Sequence, residues 1–255
     1  MVEAKVLRCL LVLCIAAGAQ SVHAQTDEIQ VYDAAIAAPG QLNLTLHNNF
    51  TVSGRSQPDF PNGVVPEHAL NGVPEFGYGV SDWFELGAYL PVYSLTSGGH
   101  LLFDSAKLRA LFVVPHARER IFFYGLNFEL SYNSPHWDIS RYSGEIRPIV
   151  GVHLGKFDLI FNPILDTAFE GFSKLDFAPA ARVAYNVTDK LGFALEHYAD
   201  LGAVSHFERS SKQSHTLFAV VDFVSGASGI EFGIGHGFSA VDDSVVVKLM
   251  YIHDL

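Results

Sequence analysis

The chain has 255 residues, with 16 Lys and Arg against 27 Asp and Glu, a formal charge of −11, and 49% hydrophobic residues. That acidic balance disfavours nucleic acid and anionic lipid surfaces as partners. The mean hydropathy of +0.22 is high for a soluble exported protein, yet beyond the first two dozen residues no run approaches the ~20 apolar residues of a spanning helix. A helical membrane protein is thereby excluded.

Lys5 and Arg8 precede an apolar run over residues 10–17, and Val22-His23-Ala24 offers a cleavage site before Gln25. This is the pattern of a secretory signal peptide over residues 1–24. Neither Cys9 nor Cys14 follows the small-residue box that a lipidated Cys requires, and both leave with the signal. The remaining chain then has no thiol and no disulfide, and it must be stabilised by backbone pairing and packing alone. Loss of Glu3, Lys5 and Arg8 leaves 14 bases against 26 acids, a net charge of −12. Residues 25–40 are too few for a plug domain and are expected to form a periplasmic N-terminal segment, a tail or a short lid.

From there strict alternation takes over. Leu42, Leu44, Leu46, Phe50 and Val52 share one face of an extended segment, while Asn43, Thr45, His47, Asn49 and Thr51 share the other. Similar segments follow, giving twelve expected strands at 41–52, 73–80, 83–93, 105–114, 121–132, 144–154, 157–167, 176–187, 190–200, 214–224, 229–238 and 244–254. Ser81-Asp82, Gly155-Lys156 and Thr188-Asp189 are tight turns, whereas the linkers after the first, third, fifth and ninth strands are longer and rich in Gly, Pro, Ser or Asn. Short turns on one rim and long loops on the other are the habit of transmembrane barrels, with the short turns periplasmic.

Which face points outward decides the class. One face is apolar and aromatic: Phe122, Tyr124, Leu126, Phe128, Leu130 and Tyr132 on one strand, Val245, Val247, Leu249 and Tyr251 on the last. A soluble barrel fills its interior with such side chains, but twelve strands enclose too wide a space for that. The opposite face carries polar residues and glycines. The expected fold is therefore an all-β, membrane-spanning, up-and-down antiparallel barrel over residues 41–255, in the outer membrane of a Gram-negative bacterium.

The hairpin phrases Tyr78-Gly79-Val80-Ser81-Asp82-Trp83-Phe84-Glu85-Leu86-Gly87 and residues 181–193, with Arg182, Tyr185, Asn186 and Asp189, resemble those of proteobacterial outer-membrane barrels. More narrowly, they resemble the transporter family associated with meta-pathway phenol degradation. The resemblance implies an outer-membrane barrel that admits small organic molecules, and it brings no functional residues with it. One departure is the final Leu255, where such barrels usually end in Phe or Trp.

The polar face supplies the candidate lumen-lining residues: Glu75, Glu85, Lys107, Arg109, Glu129, Glu145, Arg147, Asp166, Arg182, Glu196, Asp222, Glu231 and Lys248. With Asp158 and Asp200 these amount to ten carboxylates against five bases. Burying unpaired charge is costly, so most should pair. Turn registers set Arg182 opposite Glu196, His153 opposite Asp158, and Glu145 opposite Asp166 with Arg147 on the diagonal. Glu75, Glu85 and Glu231 receive no facing base in these registers. Inward Tyr89, Tyr93, Phe123, Tyr198 and Phe218 narrow the passage.

The expected function is a passive channel or small-solute transporter with an acidic, cation-favouring lumen. A lipid-modifying hydrolase and a structural barrel with a blocked lumen stand as alternatives. His153 with Asp158 lacks a neighbouring Ser, and His47 lacks an acid nearby in sequence, so no catalytic residues are assigned. The twelve histidines show no close ligand spacing, so no metal or cofactor is expected. The expected partners are outer-membrane lipid, the outer-membrane assembly machinery and an unknown small solute, with no nucleic acid.

Overall fold

A computed structural model describes residues 28–255; the expected signal peptide, residues 1–24, lies outside the described residues. The strands are β1 (Leu42–Ser53), β2 (Leu70–Ser81), β3 (Phe84–Leu95), β4 (Leu101–Val113), β5 (Phe122–Tyr132), β6 (Tyr142–Leu154), β7 (Phe157–Asn162), β8 (Leu165–Thr167), β9 (Asp176–Phe177), β10 (Ala180–Thr188), β11 (Leu191–Asp200), β12 (Ser214–Ser225), β13 (Ser228–Gly237) and β14 (Val245–Asp254). Neighbours pair antiparallel around the sheet, and β14 closes onto β1 from Asn43↔Asp254 to Ser53↔Val245. β7 with β8 and β9 with β10 each make one stave, so the barrel has the twelve that the alternation predicts.

The two broken staves, read from the sequence as continuous over 157–167 and 176–187, are interrupted at Pro163 and Pro179. Proline has no N–H to donate to a ladder. Bonds from Ala178 N–H to Ile164 O (3.0 Å) and from Ala199 N–H to Pro179 O (3.0 Å) carry the sheet across the gaps.

Outward positions are apolar almost without exception. Leu108 is 63% exposed and Leu130 49%, a surface that water would not tolerate over so wide a belt. Near the short-turn rim, Trp83, Phe84 and Phe112 stack at centroid distances of 4.7–6.1 Å. Near the other rim, Tyr132 and Tyr142 meet edge to face at 5.7 Å. Aromatic girdles around an apolar band mark a barrel that crosses a bilayer, where closure of the sheet satisfies every backbone group. No helix among the described residues is long and apolar enough to cross a membrane; the crossing is made by strands. The molecule is an outer-membrane β-barrel.

Residues 28–40 do not stand outside as a tail. Ala38-Pro39-Gly40-Gln41 forms a turn closed by Gln41 N–H to Ala38 O (2.9 Å), with Gly40 at φ 81°. Pro then Gly with positive φ is the signature of a type II turn, which any residue with a Cβ would strain. The turn sends the chain from the foot of β1 back into the barrel. Gly40 N–H bonds Gly79 O at 2.7 Å, and a side chain on Gly79 would run into the carbonyl oxygens of Ala37 and Ala38 at 2.4 and 2.3 Å. Beyond this point Val31, Tyr32 and Ala34 are buried against Leu111, Val113, Phe123, Ile149, Ile160 and Ile164. This strap and the inward side chains fill the short-turn half of the lumen.

Candidate functional site

The interior is organised as three charged clusters that the strap touches in turn. In the first, Arg109 from β4 binds Glu75 of β2 at 2.6 Å and also Glu85 of β3. His47 Nε2 of β1 lies 2.9 Å from Glu75 Oε2. Lys107 stands 5.6 Å from the centre of the Tyr89 ring. Glu129 accepts from Asn127 Nδ2 at 2.8 Å and from the Tyr32 hydroxyl at 3.2 Å. In the second cluster, Arg147 engages both oxygens of Glu145 through Nε and Nη2 at 2.6 and 2.8 Å. Its guanidinium lies 4.3 Å from the centre of the Tyr32 ring. In the third, Arg182 joins Glu196, Asp222 and, at 2.9 Å, Glu231. Lys248 completes it through Glu196 and, at 2.5 Å, Glu231.

Three predicted registers are the observed ones: Arg182↔Glu196, His153↔Asp158 and Glu145↔Asp166. Glu75, Glu85 and Glu231 have no directly facing base, as the registers predict, yet none of them is without one. Arg109 reaches two of them across the ladders, and Lys248 with Arg182 reaches the third. Long side chains bridge diagonally, which directly facing pairs do not reveal. For the same reason His47 has an acid partner in Glu75, on the neighbouring strand and distant in sequence. Of the thirteen candidates, Glu75, Glu85, Arg109, Glu129, Arg147, Arg182, Glu196 and Lys248 are buried. Lys107, Glu145, Asp166, Asp222 and Glu231 are half-buried.

What the sequence reading missed is the strap's part. Tyr32 N–H donates to Asn162 Oδ1 at 2.7 Å and Asn162 Nδ2 returns to Tyr32 O at 3.0 Å, a backbone-mimicking pair. The Tyr32 hydroxyl meets that of Tyr89 at 2.5 Å. Arg147 donates to Gln30 O at 3.0 Å, Lys248 to Ile29 O at 3.1 Å, and Ala37 N–H donates to Glu85 at 2.5 Å. Each charged cluster therefore hands at least one group to the strap. The only sequence signal for this course was Pro39-Gly40, a turn placed too early to be a hairpin.

Above the strap, in the long-loop half, the lumen opens into a cavity of about 320 Å³ whose lining includes Glu28, Ile29, Glu145, Arg147, Asp166, Tyr198, Asp200 and Phe218. At its outer edge Asp242 ties two loops together. It accepts from Ser214 Oγ at 2.5 Å and from the N–H groups of His215 and Ser239 at 3.1 and 2.8 Å. Burial pushes its carboxyl up, but these bonds outweigh that and hold it below the usual Asp value.

One Ser-His-Asp contact joins the loop after β5 to Asp104 of β4. His136 Nε2 is 3.2 Å from Asp104 Oδ1, and Ser134 Oγ is 3.0 and 3.1 Å from the two ring nitrogens. Near-equal distance from both nitrogens puts the hydroxyl over the ring face rather than along a lone pair. It is not the in-line arrangement that activates a serine. Among the described residues no group of His, Cys, Asp and Glu is placed to hold a metal ion.

Fold comparison agrees with the class that the wall defines. An outer-membrane channel from Pseudomonas putida F1 aligns over 89% of this chain and all of its own length, at 13% identity and a TM-score of 0.56. The NanC porin aligns over 83% of this chain and 97% of its own, at 7% identity and a TM-score of 0.53. At such identities the likeness is one of fold. No protein-family model and no curated protein matches the chain.

Proposed function

We propose that this protein is a passive outer-membrane channel for small solutes, with a cation-favouring lumen that its own N-terminal strap keeps shut. The observation that carries the reading is how the strap is held. Apart from the Gly40–Gly79 foot, it joins no sheet ladder; side chains of the wall pin its backbone at Ile29, Gln30, Tyr32 and Ala37. Removing the strap breaks those bonds and leaves the wall's own ladders intact. A barrel built only for structure needs no removable filling.

The surplus of carboxylates supports the cation preference, because low-dielectric walls focus the field of fixed charge in a narrow passage. The short-turn rim, where the strap enters, is assigned to the periplasm. Small organic molecules are the solutes that the hairpin resemblance to the phenol-degradation transporters implies. The test is reversal potential in planar bilayers under a KCl gradient, using the barrel without residues 28–38. Preference for K⁺ that fades in molar salt is expected, since the Debye length falls to about 3 Å at 1 M. Preference for Cl⁻ would overturn the reading.

A further inference from the structure

A row of acids runs along the wall at one level, and two of them, Glu145 and Asp166, line the cavity above the strap. Glu129 of β5 faces Glu145 of β6, Glu145 faces Asp166 of β8, and Asp166 faces Asp176 of β9. Like charges placed directly across a ladder destabilise a sheet, so the row favours cations beside it, and Lys107 acts on Glu129 and Glu145. Arg147 is the guanidinium at hand, and it is already committed to both oxygens of Glu145 and to Gln30 O.

A separate observation points into the same space. Glu28, at the leading end of the strap, lines the cavity with a side chain only 3% exposed. Neither of its carboxylate oxygens has a hydrogen-bond partner, and the Arg147 guanidinium approaches no closer than 3.8 Å. The side-chain amide oxygen of Gln30, Oε1, is also buried without a partner, and Gln30 lies on the lining. A carboxylate left without donors in a buried position is costly. The same lining carries apolar side chains, Ile29, Ile164, Phe218 and Val246, along with the cations Arg55 and Arg147. Buried acceptors interleaved with hydrocarbon, in about 320 Å³, suit a small amphipathic molecule rather than a hydrated metal ion.

We propose that this cavity binds a small organic cation, a primary ammonium or guanidinium group carrying an aromatic or short aliphatic body. The charged head donates to Glu28 and lies beside Asp166, and the body rests on Phe218 and Ile29. The inference deepens the cation-favouring reading, but it concerns equilibrium binding and not current. An absence of conductance would therefore sink the channel and leave this site standing.

The experiment is isothermal titration of the detergent-solubilised whole protein with 2-phenylethylamine, beside its neutral and anionic counterparts 2-phenylethanol and 3-phenylpropionate. Saturable binding of the amine is expected, at least tenfold tighter than either counterpart. Glu28→Gln should weaken it at least tenfold. Because Glu28 lies on the strap, Asp166→Asn in the wall is the second variant and should weaken binding as well. Asp82→Asn in the far turn should leave it unchanged. Equal binding of amine and alcohol would overturn the proposal, and so would full amine affinity in both Glu28→Gln and Asp166→Asn.

Discussion

The two halves of this lumen solve the same problem in opposite ways. A twelve-stave barrel is too wide for inward side chains alone to fill, unlike an eight-stranded one. In the short-turn half the chain supplies the missing matter from its own N-terminus. Val31, Tyr32 and Ala34 pack against Val113, Phe123 and Ile149 as one buried apolar cluster. In the long-loop half Trp137 folds in from the loop after β5 onto Val73, Tyr89 and Val92, and the described residues leave a cavity whose lining mixes carboxylates with apolar side chains. The difference teaches that, under the proposed function, obstruction and selectivity are separable: one half would block and the other would sort.

If the lower half is a packed core, it should respond to truncation as a core does. Phe123 is fully buried and so close-fitting that a side chain on Gly151 would come within 2.1 Å of its ring. Phe123→Ala should cost about 3–5 kcal/mol. Thr216→Ala, on the cavity lining, should stay within about 0.5 kcal/mol. Denaturant unfolding in detergent micelles distinguishes the two, and equal losses would mean that the halves are packed alike.

A smaller perturbation addresses the strap's foot. Gly79→Val sets a side chain against the backbone of Ala37 and Ala38, beside the bond from Ala37 to Glu85. Overpacking of about 1–3 kcal/mol shifts the closed-to-open balance by roughly five- to 150-fold. Single-channel open probability should rise accordingly, and no rise would place the block elsewhere.

The smallest effect lies at the outer edge. The Asp242 carboxyl is held below the usual Asp value, so its contribution is complete above about pH 4, the unfolded range for Asp. It is lost as pH falls through the lowered folded value. Amide protection at His215 and Ser239 should be steady between pH 7 and 5 and should drop in stronger acid. Asp242→Asn should show the lowered protection already at neutral pH.

Much of the wall was legible because alternation with period two is a direct imprint of lipid on one side and lumen on the other. The number of staves, the lipid-facing residues and the Arg182–Glu196 pair followed from it. The Pro163 and Pro179 breaks were visible as residues but not as breaks, since the apolar pattern runs through them. Diagonal pairs such as Arg109 with Glu85 were missed because facing registers count only direct neighbours. Alternation also marks Asn127 as a polar lumen position tolerant of a longer side chain. In the folded barrel it is fully buried beside Glu129, with no space to spare. The strap was the least legible element, because a dozen residues without periodicity say nothing about what they lie against. Only the wall, once closed, gives Tyr32 its partners.

The central claim is that residues 28–40 close the lumen. Conductance of the whole protein and of the same barrel lacking residues 28–38, measured side by side in planar bilayers, tests it most directly. The account predicts rare, brief openings in the first and a steady open level in the second, with both barrels equally folded by their circular dichroism. Identical conductance in the two would contradict it.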